Sequence, residues 1–320
     1  MKITVPTIDF GTSKIVTMVA QSNGERCDIV GSGAVPYSGY LQDGWNNPDE
    51  IRDVIRTAID QAQKTGNCRI HELNVGVPGM FTRVIVKEVH VSLTGPDPHV
   101  TAQDVRACFK LAEESGGDRI IHSAPAWFRV DDGKKTLSPV GIKGRELSAM
   151  IALVTADKYF IDDITYRLRD MDIEPREFYS TVAGEATYAL SQDERDKTAM
   201  LIDIGYLCTD VMVMEGDALI FHKCLDIGGG HISADIAEQL NIPFPFVEEK
   251  IKQTYSFNST NQDETYVIPA TEDEPARTVR RDEVTPIIEA KVEEIAEAIN
   301  KALELSLIHI SEPTRPRLIS

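Results

Sequence analysis

The chain has 320 residues, enough for about two domains, and its 42% hydrophobic and 26% charged residues fit a folded globular protein rather than a disordered one. A formal net charge of -18 excludes non-specific nucleic-acid binding, which needs basic side chains against phosphate, and leaves any membrane contact to a local segment. The five cysteines (Cys27, Cys68, Cys108, Cys208 and Cys224) show no CxxC pair or Cys/His ligand spacing, so a reducing compartment and no structural zinc are expected.

The N-terminal MKITVPTIDFGTSK lacks the apolar region and cleavage site of a signal peptide, and no apolar run reaches the ~18 residues a membrane helix needs. Ile3–Asp9 reads as a strand, Gly11-Thr12-Ser13 as a tight turn, Ile15–Ala20 as the returning strand and Asp28–Val35 as a third. Asn47-Pro48-Asp49-Glu50 reads as a helix start, followed by Ile51, Val54, Ile55, Ala58, Ile59 and Ala62 on one helical face. Trp45, in a Gly/Asn-rich loop, is expected to be exposed as part of a contact surface. Leu73–Val77 is a strand that ends at Pro78-Gly79.

The pattern then changes. Val84–Val91 alternates as a strand, Thr101–Ser115 reads as a helix with a capping box at Thr101 and Asp104, and Arg119–Val130 and Leu147–Thr155 read as two further strands. Trp127 and Phe128 are expected to be one inward and one edge-facing aromatic. His90 and His122 read as packing or hydrogen-bonding residues. Ala156–Arg169 is a helix, so the block is an inserted α+β subdomain. An α/β rhythm returns at Ile173–Tyr179, with a helix over Val182–Leu190. Ala199–Ile204, Thr209–Met214 and Ala218–Cys224 form a strand meander. Gly228-Gly229-Gly230 precedes a helix over His231–Gln239, where His231 reads as a helix-start residue. Phe257–Val279 is polar and is expected to be irregular. The spacing of Val284, Ile287, Ile288, Val292, Ile295, Ile299 and Leu303 predicts an amphipathic helix. The last residues, LSLIHISEPTRPRLIS, read as a library-adapter translation, so authentic sequence is expected to stop near Glu304.

The sharpest feature is a repeat. Asp9-Phe10-Gly11-Thr12-Ser13 and Asp203-Ile204-Gly205…Thr209-Asp210 each put Asp-x-Gly at the end of an apolar strand and lead into another strand. Such turns aim backbone N–H groups and small hydroxyls into one concavity that suits phosphate oxygens. Carboxylates repel phosphate, so their sensible role is to hold a magnesium ion through waters. Lys14 can offset phosphate charge. One Asp-x-Gly alone is a common hairpin turn; two copies, each opening an α/β half, suggest two related lobes with a nucleotide between them.

These loops resemble those of the actin, Hsp70 and sugar-kinase superfamily. Within it the chain is similar to the FtsA family over about Thr4 to Glu304, through IDFGTSK (Ile8–Lys14), VGVPG (Val75–Gly79), RIIHSAPAWFRVDD (Arg119–Asp132), SPVGIKGREL (Ser138–Leu147) and GGGHISADIAEQL (Gly228–Leu240). The resemblance implies an α/β, actin-like (ribonuclease H-like) two-lobed fold with an inserted α+β subdomain and an incomplete second lobe. Residues 1–80 with 166–195 would form the first lobe, 81–165 the insertion, 196–304 the second lobe and 305–320 an artefactual tail. It implies ATP and Mg2+ as cofactors. Asp9, Gly11, Thr12, Ser13, Lys14, Asp203, Gly205, Thr209, Asp210, Gly229 and Gly230 would lie at the phosphates and Glu289 and Lys291 towards the nucleoside, with Asp9, Asp203 and Asp210 serving the metal. It implies a cell-division adaptor that binds FtsZ, associates with itself and recruits later division proteins through 81–165. Membrane attachment at the cytoplasmic face of the division site would come from a C-terminal amphipathic helix not encoded here. A pilus-assembly-type or chaperone-like actin-fold ATPase is the alternative, and a degenerate pseudo-ATPase a third reading. Tyr206, Leu207 and Cys208 depart from the glycine- and threonine-rich second loop of relatives. Ser180 stands where chaperone-type relatives carry a water-positioning glutamate, and Glu185 is expected to lie too far along its helix to substitute. Slow or absent hydrolysis is therefore expected, and, as the Gly-rich adenosine-holding segment of relatives would fall after Glu304, weak ATP binding is expected as well.

Overall fold

In a computed structural model, residues 3–24, 26–41, 44–114, 116–117, 119–259, 264–270 and 275–311 are described. By internal packing the chain divides into two units: Met1–Asp203 with Asp210–Cys224, and Ile204–Thr209 with Leu225–Glu304.

The first unit starts with the predicted hairpin. β1 (Ile3–Phe10) and β2 (Lys14–Ser22) pair antiparallel from Ile3↔Ser22 to Phe10↔Ile15, and β3 (Cys27–Pro36) pairs with β2. Alternation sends Ile8, Phe10, Ile15 and Val19 into the core. Helix α1 (Ile51–Gly66) buries Ile51, Ile55, Ala58, Ile59 and Ala62 against this sheet. It lies so close to β3 that a Cβ on Gly33 would come within 2.7 Å of the Gln61 Cβ, so only glycine fits there. The helix starts at Ile51, later than the Asn47-Pro48 signal predicts. Asn47 is drawn instead into a turn, where its carbonyl accepts from the Tyr37 hydroxyl at 3.0 Å.

β4 (Glu72–Val77) runs parallel to β1 and leads through a 3-10 turn, Gly79–Phe81, into the insertion. There β5 (Thr82–Ser92), α2 (Ala102–Glu114), β6 (Ile120–Val130) and β7 (Glu146–Ala156) build an antiparallel sheet in the order β5-β7-β6. The capping box forms as expected: the Thr101 hydroxyl donates to Asp104 at 2.6 Å and the Thr101 amide at 2.8 Å. Trp127 and Phe128 are both buried, which corrects the edge-facing expectation. Phe128 joins Cys108, Leu147 and Ile151 in one core, while Trp127 packs in another with Ala152, Val213 and Ile220. Successive strand residues face opposite sides of a sheet, and both sides are covered here.

α3 (Lys158–Arg169) is capped by Asp157, and β8 (Glu174–Ser180) then adds parallel to β4, which completes the order β8-β4-β1-β2-β3. Trp45 is only 6% exposed, contrary to expectation. Its ring packs among Phe10, Tyr40, Phe81 and Phe160, and its Nε1 donates to Asp163 at 2.7 Å. Helix α4 (Thr181–Ala189) is capped by the Ser180 hydroxyl, which accepts from the Ala183 amide at 3.2 Å. The meander follows as β9 (Ala199–Ile204), β10 (Thr209–Glu215) and β11 (Ala218–Leu225).

In the second unit α5 (Gly229–Gln239) precedes a short helical run over 244–254. The stretch expected to be irregular contains an antiparallel hairpin, β12 (Thr265–Ile268) with β13 (Arg277–Arg280). It forms because Tyr266, Ile268 and Val279 are buried with Ile236, Ile251, Val284 and Ile288. Residues 260–263 and 271–274, also in that expectation, lie outside the described residues. Helix α6 runs Arg281–Ser311, past Glu304; 312–320 of the expected adapter-derived tail lie outside the described residues. Among the described residues no helix is long and apolar enough to cross a membrane.

Candidate functional site

The two Asp-x-Gly turns have the same backbone geometry. The Gly11 amide donates to the Lys14 carbonyl at 3.0 Å, and the Gly205 amide donates to the Cys208 carbonyl at 2.9 Å. Each closes a hairpin around two residues, Thr12-Ser13 in one and Tyr206-Leu207 in the other. A Cβ on either glycine would stand 3.0 or 2.9 Å from that same carbonyl. Glycine is thus used in both turns for close backbone approach.

Asp9 ends the first strand of one hairpin and Asp203 the first strand of the other. Asp9 keeps solvent-accessible surface, yet desolvation by the surrounding protein is the main influence on its carboxyl and raises its pKa. The Phe10 amide opposes this, the charge of Asp203 adds to it, and Lys14 opposes it. Asp203 is half-buried; desolvation and then the charge of Asp210 raise its pKa. Asp9 and Asp203 are therefore close enough to repel.

Glu185, on α4, joins them electrostatically. Its pKa is raised from 4.5 to about 7, first by desolvation and then by the charges of Asp203, Asp210 and Asp9. The reason is helical spacing. Thr181 sits at the head of α4 with its hydroxyl donating to the Val77 carbonyl at 3.0 Å, and its Cγ2 lies 2.7 Å from where a Gly76 Cβ would be. The Asp9 Oδ1 lies 3.3 Å from the same point. Glu185 is one turn on from Thr181 and so shares its face. That i, i+4 step from Thr181, the first residue of α4, is the signal by which sequence reasoning could have found it.

Asp210 is 8% exposed, and its Oδ1 lies 2.7 Å from the Nε2 of His222. The carboxyl packs against the Pro78-Gly79 turn, where a Cβ on Gly79 would be 2.6 Å from its Cγ. Four carboxylates thus gather with Lys14 as the cation acting on Asp9. Carboxylate oxygens with a surplus of negative charge suit a hard divalent cation, and the Cys224 thiol lies within 4.8 Å of an Asp210 oxygen.

Thr12 is buried, the Ser13 carbonyl accepts from the Tyr37 amide at 2.9 Å, and Lys14 is exposed. The Thr209 hydroxyl donates to the Ile227 carbonyl at 2.7 Å. Gly229 and Gly230 donate their amides to the carbonyls of Gly205 and Tyr206, at 2.9 and 2.7 Å, so the head of α5 is stitched to the second turn. His231 has the expected helix-start role, its Nδ1 3.0 Å from the Gly228 amide. The Tyr206 ring lies against Gly230, with Lys252 Nζ 5.1 Å from the ring centroid. Lys291 bridges α6 to α5 through Asp235 at 3.0 Å and also pairs with Glu294 at 2.6 Å. Glu289 lines a cavity with Tyr255, Phe257, Arg281 and Thr285.

Two family models match the chain: one described as cell division protein FtsA over residues 200–320, and one as the SHS2 domain inserted in FtsA over residues 79–155. Curated relatives named cell division protein FtsA align along most of the chain. The Pseudomonas aeruginosa protein is 26% identical over 93% of this chain and 73% of its own length, the Bacillus subtilis protein 26% over 92% and 68%, and the Escherichia coli K12 protein 23% over 92% and 71%. Among solved structures, a PilM–PilN type IV pilus biogenesis complex matches with a TM-score of 0.60 at 16% identity, covering 96% of this chain and 78% of that one. MreB5 of Spiroplasma citri bound to ADP matches with a TM-score of 0.51 at 11% identity, covering 94% and 78%. These likenesses show the actin-like fold expected from the paired loops.

Proposed function

Because the chain belongs to the FtsA family of cell division proteins, we propose that it is an ATP-binding cytoskeletal adaptor that ties FtsZ to the cytoplasmic membrane at the septum. The duplicated turn carries this reading: the same Gly amide-to-carbonyl closure follows Asp9 and Asp203, and the charge of Asp203 raises the cost of ionising Asp9. Nucleotide binding agrees with the fold. ATP and Mg2+ as the specific pair are our assignment, supported by the gathering of Asp9, Glu185, Asp203 and Asp210, whose charges act on one another.

In this reading Asp9, Asp203 and Asp210 hold Mg2+, directly or through its waters, and Gly11, Thr12, Ser13, Gly205 and Thr209 present the phosphate-binding turns. A bound magnesium ion supplies the positive charge that lets acidic turns accept a triphosphate. Lys14 adds an exposed cation at the first turn. Gly229 and Gly230 support the second turn through the amides they give it, and Glu289 and Lys291 belong to the nucleoside side. Glu185, the residue missing from the sequence-based set, adds charge to the cluster and has the most to gain from a cation.

The division into 1–80 with 166–195, 81–165 and 196–304 remains our subdomain assignment, and the family match over 79–155 supports its middle part. Self-association into protofilaments, recruitment of later division proteins through 81–165, and membrane contact through a C-terminal amphipathic helix complete the proposal. Titration calorimetry with Mg-ATP, paired with co-sedimentation on assembled FtsZ, tests it. Binding of both is expected. Nucleotide binding without any FtsZ association would favour another actin-fold ATPase.

A further inference from the structure

β10 and β11 are neighbouring strands, joined through Gly216. Asp210 stands near the start of β10 and His222 on β11. The His222 side chain is 2% exposed, and its Nε2 lies 2.7 Å from Asp210 Oδ1. A carboxylate can only accept a hydrogen bond, so Nε2 carries the proton. The Pro78-Gly79 turn also meets this carboxyl, closest to the same Oδ1, with no room for a Cβ. Oδ1 is therefore engaged twice, by the His222 donor and by close-packed backbone at Gly79.

We infer that His222 is a positioning residue: it fixes the rotamer of Asp210, reserves Oδ1, and leaves Oδ2 as the oxygen for a cation or its waters. The inference rests on the nucleotide-site reading above and extends it to a residue that the Asp-x-Gly pattern does not contain. A phosphate turn needs no histidine twelve residues downstream. A buried carboxylate does need a partner, because an unpaired one is strongly penalised. A flexible or solvated aspartate could serve a cation with either oxygen, whereas one pinned by a buried imidazole is set in advance, as outer partners commonly set metal-binding groups.

The test uses the full chain and a fluorescent ATP analogue, titrated in Mg2+ and again in EDTA. His222→Phe keeps the bulk and removes the donor; His222→Gln places an amide nitrogen near the position of Nε2. In Mg2+, His222→Phe should bind about tenfold or more weakly and His222→Gln within about threefold of wild type, while in EDTA all three should agree. Equal losses in both buffers would mark His222 as merely structural and overturn the inference, as would no loss in His222→Phe. Histidine 1H–15N spectra of the nucleotide-free protein supply a second readout. They should show His222 as the Nε2–H tautomer, with shifts that move in Asp210→Asn; the Nδ1–H tautomer overturns the inference. A wild-type chain that binds no nucleotide in either buffer would overturn the site reading itself, whatever the variants do.

Discussion

The two Asp-x-Gly turns share a backbone and differ in everything built on it. The first carries Thr12, Ser13 and Lys14: small hydroxyls and one exposed cation. The second carries Tyr206, Leu207 and Cys208, and its carbonyls already accept the amides of Gly229 and Gly230. The aspartate of the first turn faces solvent, whereas Asp210 beyond the second is buried and held by His222. A repeated fold element has thus been kept for its geometry in both places, with one copy left open and the other braced from within. The second turn should tolerate little change in its supports and more change in its own tip.

The largest expected effect follows from that bracing. Gly79→Val would push a side chain into the Asp210 carboxyl, and overpacking of this kind costs roughly 1–3 kcal/mol. Thermal unfolding should show a drop of several degrees together with loss of Mg-nucleotide binding. A variant that melts with the wild type would mean that the turn is not packed as described.

A smaller effect concerns Glu185. Its folded-state pKa of about 7 lies above the ordinary 4.5, so the folded protein binds this proton more tightly than the unfolded chain does. Stability should therefore fall as pH rises from about 4.5 to about 7. Glu185→Gln should flatten this part of the profile, and saturating Mg2+ should pull the titration to lower pH. Chemical denaturation at several pH values, with and without Mg2+, measures both. A profile identical in wild type and variant would remove Glu185 from the cluster.

The smallest effect is expected at the tip of the second turn. Tyr206→Gly removes a ring whose contact with Lys252 is worth about 0.5–1 kcal/mol at a partly exposed site. Nucleotide affinity should change by less than about fivefold, in contrast to Gly79→Val. A loss as large as that of Gly79→Val would show that the tip, not its supports, carries the second turn.

Much of this organisation was legible in the sequence, for identifiable reasons. The strands around both turns have apolar alternation broken by glycine, the α1 face has helical spacing, and the Thr101–Asp104 box marks its helix directly. The β12–β13 hairpin escaped notice because four-residue strands with three inward side chains give too short a pattern to separate from loop. Trp45 misled because a Gly/Asn-rich neighbourhood usually marks surface, while here the indole packs onto Phe10, Phe81 and Phe160. Within the site, Asp9 and Asp203 were readable from their turns. Asp-x-Gly itself signals neither Glu185, which is tied only to Thr181 by an i, i+4 step on α4, nor His222, which sits on a different strand with no local spacing to the turn.

The central claim is that Asp9 and Asp203 serve one cation together, and a double-mutant cycle on Mg-ATP affinity tests it most directly. Asp9→Asn and Asp203→Asn should each weaken binding by roughly 10- to 100-fold, the range for losing a charged partner, and the double variant should be scarcely weaker than either. Two losses that simply multiply, or affinity untouched by either change, would contradict a shared site.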